Sequence, residues 1–468
     1  MKAVFKKETF FSSSRKKLFA FHEQPEAFRL LTSAFPDITI KSTASSIKPT
    51  GEPVRFITKF LFLKFTFEML HTEYEKNVLF VDEQQKGLFS SWRHEHKFYQ
   101  AGWQGDQSSL LVDGIEFGHP FLFLFKPFVM HRLKKVFTSR SRITQQEVSK
   151  MLPEENKLSG KSIIVTGATG LIGKRITEIL IEKGTKPVLF VRNIEKTRKL
   201  FGDKAEYALW DVSKPGEKEW KKYINNADGI IHLAGIPLFK QRWSDAFIKS
   251  AEQSRLEGTK MLVDAIANCE KRPPVFVSAS AVGYYGSNPD RTVDESTQNG
   301  HDILADICVH WEKEAMRAKE LGVRTAVIRI GIVLSSQSGA LKEMLPLFQF
   351  GMGGVLGHPD YWFNWIHIED IARIFVMALL NRNMNGAYNG VAPNPVQNVN
   401  FVKALGRAMH RPTLMRFPVW ALKIIIGRAA EFLSGGPKAS AKKVQDEGYT
   451  FFYDEVGPAL ENVLREGH

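Results

Sequence analysis

The sequence predicts an α/β chain in which a mostly parallel sheet of βαβ units fills roughly the last two thirds, behind a separate strand-rich domain. Three observations carry this. From residue 162 onward, β-branched runs ("SIIVTG", "PVLFVR", "GIIHLAG", "PVFVSAS", "RTAVIRIGIVL") alternate with helical patterns such as "LIGKRITEILIEKG", the mark of βαβ units. Of the 35 Phe, 21 lie before residue 161. Their runs, "FITKFLFLKFTFEML" and "FGHPFLFLFKPF" among them, alternate at period two as half-buried strands do. Between the two regimes "PEENKLSG", residues 153–160, reads as a polar linker and puts a boundary at about 155.

A chain of 468 residues exceeds one ordinary core, so two or three domains are expected. With 43% hydrophobic and 24% charged residues the composition is that of a soluble globular protein. No apolar run approaches the roughly 18 residues a bilayer span needs. The start, "MKAVFKKETFFSSSRKKLFAF", is basic but lacks the apolar core and cleavage site of a secretory signal. Only Cys269 and Cys308 are present, which suits a reducing, cytoplasmic compartment. The net charge of +14 is spread, since residues 1–160 hold 24 Lys and Arg against 17 Asp and Glu. The densest cluster, "HRLKKVFTSRSR", reads as a solvated helix face. No nucleic-acid motif lies beneath the basic balance, which an anionic cofactor would also fit. The sequence offers no internal repeat and no cluster with metal-ligand spacing, so no metal is expected.

The first strand, glycine turn and helix of the second region, "SIIVTGATGLIGKRITEILIEKG", form a dinucleotide signature in the right context. Gly167 suits the tight turn, Gly170 the approach of backbone to a pyrophosphate, and Gly173 close helix–strand packing, with phosphates on the free N–H groups of the helix N-terminus. The second strand, "PVLFVRN", ends where an NAD site usually places an acid for the ribose 2′-hydroxyl. Here stands Arg192, with Lys196 and Arg198 nearby. A guanidinium suits a 2′-phosphate, so NADP is favoured over NAD; the alternative is an ordinary surface arginine.

Taken together, "VTGATGLIG", "HLAGIPLFKQRW", "SRLEGTK", "VSASAVGYYG", "RIGIVLS", "MLPLFQFGMGGVLG", "WIHIEDIA" and "NGVAPNPV" resemble the extended short-chain dehydrogenase/reductase superfamily. The resemblance is closer to an atypical branch of NAD(P)-dependent epimerase/dehydratase-like proteins of unknown substrate. The tail from "RPTLMRFPVWALK" to "GYTFFYDEVGPAL" looks like that branch's own C-terminal module. Residues before about 150 are similar to a START-type (helix-grip, polyketide cyclase-like) ligand-cavity domain, through "FAFHEQPEAFRLLTSAFPDI", "WRHEHKF", "LVDGIEFGHPF" and "FTSRSRIT". The resemblance implies a START-like domain over 1–155, a Rossmann-type domain over 156–414 and a C-terminal module over 415–468 that closes over the substrate. It also implies that Thr169, Leu171 and Ile172 join the glycines at the cofactor, with His232 and Leu233 lining it after the fourth strand. Arg255 would reach it from a helix, and Ile332 would lie near the nicotinamide. A second reading leaves His232 as a partly buried loop residue and Arg255 as a helix-surface ion pair.

The superfamily's chemistry uses a Tyr as acid/base, a Lys four residues later, and a Ser at the end of the fifth strand. Ser280 of "VSASAVGYYG" is the better serine candidate and Ser278 the alternative. On "ILADICVHWEKEAMRAKELG" the Tyr and Lys positions fall on Cys308 and Glu312. A carboxylate disfavours a neighbouring anion where a cation would favour it, so Glu312 is expected to raise the pKa of Cys308 or of a nearby Tyr. Cys308 lacks an activating cation and reads as structural. Tyr284 or Tyr285 could replace the phenol, and Glu312 could act as a base if buried. His310 falls about 200° around the helix from Cys308 and should face elsewhere. Near "WIHIEDIA", with His367, Asp370 reads as a helix N-cap. "GMGGVLG", with Met344 and Phe348 before it, reads as a mobile apolar loop over the substrate. Two functions fit: an NADP-dependent oxidoreductase or epimerase/dehydratase acting on an unidentified small molecule, or a non-catalytic NADPH-binding sensor whose N-terminal domain takes an apolar ligand. The enzyme is preferred, because a cleft closed at the nicotinamide end has no other explanation.

Overall fold

Period-two alternation before residue 120 and fully buried apolar runs after residue 160 produce two different sheets. The computed structural model describes residues 2–24, 26–32, 35, 38–60, 63–103, 106–150, 158, 160–214, 219–238, 243–287, 291–417, 419–420 and 436–466. It divides the chain into two units, Met1–Lys157 and Leu158–His468. No helix among the described residues is long and apolar enough to cross a membrane.

The first unit runs β1 (Lys2–Phe11), α1 (Arg15–His22), α2 (Ala27–Thr32), β2 (Ile38–Ser42), β3 (Val54–Phe60), β4 (Leu63–Glu75), β5 (Leu79–Lys86), β6 (Ser91–Trp103), β7 (Asp106–Gly118) and α3 (Leu122–Lys150). The strands form one antiparallel sheet in the order β1-β7-β6-β5-β4-β3-β2. One expectation fails here. The period-two run "FGHPFLFLFKPF" continues as strand only to Gly118, and from Leu122 it is the start of α3. Phe121, Phe123, Leu124 and Phe128 are exposed. What fixes the helix is the downstream set Val129, Leu133 and Phe137, spaced by four and buried in one core with Phe5, Ile115 and Phe117. Within "HRLKKVFTSRSR", Lys134 and Lys135 are exposed, while Arg140 lines an internal cavity.

The second unit runs β8 (Ile163–Thr166), α4 (Leu171–Glu182), β9 (Val188–Val191), α5 (Ile194–Phe201), β10 (Glu206–Leu209), α6 (Lys221–Ile224), β11 (Gly229–His232), α7 (Asp245–Ala267), β12 (Val275–Ala281), β13 (Thr292–Val293), α8 (Ile303–Glu320) and β14 (Arg324–Ile330). Its parallel sheet has the order β10-β9-β8-β11-β12-β14, closed by the edge strand Gly386–Gly390. β8, β9 and β11 are buried at every residue, as a sheet with helices on both faces requires. Strand order reverses between β8 and β11, which opens a crevice at their carboxyl ends.

Beyond the sheet, α9 (Ala340–Gln349) buries Met344 and Phe348, and Gly354–Leu356 pairs in parallel with Met415–Phe417. The expected loose loop is thus partly a β-pair, held by backbone hydrogen bonds that its glycine-rich composition does not reveal. α10 (Ile368–Leu380) corrects a second expectation, because its N-cap is His367, whose side chain accepts from the N–H of Glu369. Asp370, fully buried, accepts the hydroxyl of Tyr449 at 2.9 Å, the N–H of Phe452 at 2.9 Å and that of Tyr453 at 3.3 Å. Burial pushes its carboxyl up to about 7 despite these donors. His367 Nε2 also lies 3.0 Å from Asn462 Oδ1, so one helix end holds the chain's final segment twice. Arg175 of α4 meets Glu369 through Nε at 2.6 Å and Nη2 at 3.1 Å, which fastens the helix behind the glycine turn to the same point.

Asp370→Ala removes the acceptor of the Phe452 and Tyr453 N–H groups and leaves the Tyr449 hydroxyl only the residue-370 carbonyl at 3.3 Å, so it should lower the unfolding free energy by about 2–4 kcal/mol. Limited proteolysis should then release the segment after residue 449 before the rest of the unit opens, and chemical denaturation measures the loss.

Candidate functional site: a dinucleotide crevice and a buried ionic cluster

The glycine turn has the shape its sequence implies. Gly167 has φ +69°, open to glycine with little cost, and a Cβ there would lie 2.9 Å from the carbonyl carbon of Leu233. A Cβ on Gly173 would lie 2.2 Å from the Gly167 oxygen, so β8 and α4 approach only because both residues lack one. Gly170 is the N-cap of α4 with no side-chain cap bond. The N–H groups of Leu171, Ile172 and Gly173 therefore stand at the head of the helix without an intrahelical partner, beside the exposed Thr169. This cradle fits a pyrophosphate: three free backbone donors at the positive end of a helix dipole.

The remaining cofactor candidates divide. Arg192 is exposed just after β9, ahead of the α5 cap Asn193. Asp211 lies close enough to feel it: against burial, Ser213 and then Arg192 hold the Asp211 carboxyl below its ordinary range. Arg198 instead lies over the Tyr207 ring at 5.4 Å. The backbone of Leu233 packs on the glycine turn and donates to Thr166 Oγ1 at 3.1 Å. His232 is the correction, for its side chain has 0% exposure and cannot line the crevice. Thr259 Oγ1 gives its proton to the Arg255 carbonyl, so it accepts from His232 Nε2 at 3.0 Å, and Nδ1 takes the Thr166 hydroxyl proton at 2.8 Å. Burial drives this imidazole down to about 3, with Arg255 adding to the effect, so it is a neutral strut beneath the turn. Arg255 Nη1 donates to Ile236 O at 3.1 Å and Ala251 O at 2.9 Å, and its guanidinium lies 5.1 Å over the Trp311 ring. It braces the loop after β11 and forms no ion pair among the described residues. Ile332 is half-buried on a short strand paired with Trp365.

The catalytic candidates converge, through a residue the sequence reading missed. Register aligns Ser280 of β12 with Arg329 of β14, and Arg329 with Asn389 of the edge strand. Glu312 comes from α8, which packs on β12 and β14. Arg329, 3% exposed, donates from Nε to Glu312 Oε1 at 2.8 Å and from Nη2 to Oε2 at 2.9 Å. Its Nη1 donates to Tyr285 Oη at 2.9 Å, and that hydroxyl donates to Asn389 Oδ1 at 2.7 Å. Ser280 Oγ donates to Glu312 Oε1 at 2.7 Å. Glu312 is thus neutralised in a fork-to-fork pair, and both roles of the Tyr285 hydroxyl are occupied; burial pushes that phenol up to about 12. Neither is placed to exchange a proton with a ligand. Tyr284 is half-buried, its ring 3.4 Å from the Arg329 guanidinium, and its hydroxyl has no hydrogen-bond partner among the described residues.

Three neighbours complete the picture. Cys308 is buried, and burial followed by Glu312 pushes its thiol up to about 12, as the sequence argument on Glu312 anticipates. Ser278 is fully buried beneath the sheet end. His310 is turned away to Glu252, 3.0 Å from its carboxylate. The signal that could have found Arg329 is its position in "RTAVIRIGIVL": an arginine inside a buried strand needs an acid facing it.

Comparison with known proteins follows the same division. Residues 163–389 match the NAD dependent epimerase/dehydratase family, and residues 417–463 match a family described as a domain of unknown function (DUF1731). The epimerase family protein SDR39U1 homolog of Arabidopsis thaliana chloroplasts is 36% identical over 317 residues, covering 67% of this chain and 90% of the relative. The epimerase family protein Mb2239 of Mycobacterium bovis is 33% identical over 300 residues, 64% of this chain and 96% of the relative. The crystal structure of human epimerase family protein SDR39U1 with NADPH superposes with a TM-score of 0.58 at 28% identity, covering 65% of this chain and 99% of that one. A nucleoside-diphosphate sugar epimerase from Corynebacterium glutamicum covers 98% of this chain and 90% of its own, with a TM-score of 0.55; at 23% identity the likeness is one of fold.

A thiol held near 12 inside a packed helix face does not react as thiolate at neutral pH. A thiol reagent at pH 8 should therefore leave Cys308 unmodified in the native protein and modify it on unfolding, which peptide mass mapping resolves.

Proposed function

Because the chain belongs to the NAD-dependent epimerase/dehydratase family, we propose that its second unit binds NADP and acts as an oxidoreductase or epimerase/dehydratase on a small molecule. The observation that carries this reading is the glycine turn, since a Cβ at Gly167 or Gly173 would collide with the backbone of Leu233 or of Gly167 and force the turn apart, and the α4 N-terminus behind it has no side-chain cap. Thr169, Gly170, Leu171, Ile172 and the backbone of Leu233 border the dinucleotide in this reading. Arg192, at the end of β9, takes the 2′-phosphate in place of the acid that NAD sites use. Arg255 shapes the loop beside the nicotinamide half, and Ile332 supplies an apolar wall. A bound nicotinamide supplies hydride transfer.

The chain's own residues set the rest. Ser280 gives its proton to Glu312 and so offers a ligand an acceptor rather than a donor. Tyr284 is the phenol left for proton transfer. Glu312 and Tyr285 are positioning residues, because Arg329 and Asn389 hold them. A second reading, NADPH binding without turnover, is favoured by that same immobility, and the assay separates the two. For the first unit we propose the START-type assignment: a cavity of about 240 Å³ between α3 and the sheet, lined by Leu31, Phe56, Phe67, Met69, Leu133 and Phe137, sized for an apolar ligand.

Nicotinamide fluorescence titration should show NADPH bound more tightly than NADH, with Arg192→Ala weakening NADPH by about 10–100-fold, the worth of a hydrogen bond to a charged group, and leaving NADH unchanged. Loss of the bound NADPH signal with a carbonyl substrate supports the enzyme. Binding without turnover, and without any cofactor-neutral product, supports the sensor; no binding of either cofactor overturns both.

A further inference from the structure

The cavity of the first unit is lined mainly by apolar side chains but has one polar end. β6 carries the alternation His94-Glu95-His96, which puts both histidines on one face. Register sets Asp82 of β5 directly opposite His94, His71 of β4 opposite Asp82, and Asp113 of β7 opposite His96. Five ionisable side chains thus meet on the inner face of four adjacent strands. His94, His96 and Asp113 are all at least nine-tenths buried, and His71, Asp82, His94 and His96 line the cavity.

The distances sort these groups into two layers. Asp113 Oδ1 lies 3.2 Å from His94 Nε2 and 2.7 Å from His96 Nδ1. Asp113 therefore holds one nitrogen of each ring, leaving the other, His94 Nδ1 and His96 Nε2, turned toward Asp82 Oδ2 at 3.8 and 3.3 Å. The second oxygen of Asp82 faces His71 Nδ1 at 2.5 Å. A cation about 2.1 Å from each of three ligand atoms separates them by roughly 3.0–3.5 Å, close to the two spacings observed. His71 Nδ1 and His96 Nδ1 meet Asp82 and Asp113 in close contacts that are not aligned as hydrogen bonds. Arg140, from α3, lines the same cavity and faces the two carboxylates, Asp113 and Asp82.

We propose that Asp82, His94 and His96 bind a divalent transition-metal ion of the Fe²⁺ or Zn²⁺ class, with Asp113 and His71 orienting the ligands from behind and an open coordination position facing the apolar cavity. Two imidazoles and one carboxylate on one side of an ion, with carboxylate support behind the rings, are the ligand set such metals take when they keep a site for an exogenous ligand. The metal end would then anchor a polar group of a molecule whose remainder occupies the Phe-lined space. The His-x-His alternation in "WRHEHKF" was the local signal, but Asp82 comes from β5 and reaches the two β6 histidines only through strand register.

The test is titration of the chelator-treated full-length chain with Co²⁺, followed by visible d–d absorption and competition with Zn²⁺. The expected result is one Co²⁺ per chain, weakened more than about 100-fold in Asp82→Asn and about 10–100-fold in Asp113→Asn, the range for losing a residue that orients a ligand. Circular dichroism checks that each variant is folded, and His94→Gln replaces Asp82→Asn if the latter is not. Absence of Co²⁺ absorption in the wild-type chain, or binding undiminished by every folded variant, overturns the proposal. NADPH titration of the same samples reports separately on the second unit, so failure of the metal site leaves the cofactor reading intact.

Discussion

Arg329 lies inside the parallel sheet with almost no access to water, and a guanidinium there is tolerable only if it is fully paired. Glu312 provides that pairing through two parallel hydrogen bonds. Much of the ligand-facing end of the second unit is arranged around this pair. It fixes α8 against β12 and β14, commits the Ser280 proton, and places Tyr285 between a cation and Asn389. Asn389 passes the constraint outward, because its Nδ2 donates to Ser440 O and its N–H to Glu295.

The exchange of Tyr and Lys for Cys308 and Glu312 therefore reads differently in three dimensions. Taken along the helix alone, it replaces a cation by an anion where a phenolate would need support. In the structure the cation has moved to the neighbouring strand, so the local charge is balanced. That balance carries a consequence for function: Glu312 is held by Arg329 and Ser280, and Tyr285 by Arg329 and Asn389, and in the proposed reading Tyr284 is the phenol left for proton transfer. The buried thiol beside them is raised chiefly by burial, with Glu312 second.

What the sequence made legible followed from local rules. Alternating β-branched runs and amphipathic helices predict the parallel sheet, and the spacing of Gly167, Gly170 and Gly173 matches the turn because each meaning is set within a few residues. What it concealed depends on pairing across the sheet. Arg329 meets Glu312, and Asp82 meets His94, only through strand register and helix packing. His232 was placed in the crevice by the motif around it, but the two threonines that bury it come from β8 and α7. Asp370 has the composition of a cap, yet it holds a segment about eighty residues further on. The run "PFLFLFKPF" misled for the opposite reason: its own alternation is strand-like, and the helix is fixed by residues that follow it.

The dependence on the buried pair is tested most directly by a double-mutant cycle on unfolding free energy with Glu312→Gln, Arg329→Met and the combination. Each single variant should cost about 3–5 kcal/mol, because Arg329→Met leaves a buried charge alone and Glu312→Gln removes the charge that pairs Arg329. The double variant should cost less than the sum by more than about 1.5 kcal/mol. Additive costs, or singles within about 0.5 kcal/mol of the wild type, would contradict the claim that this ion pair organises the site.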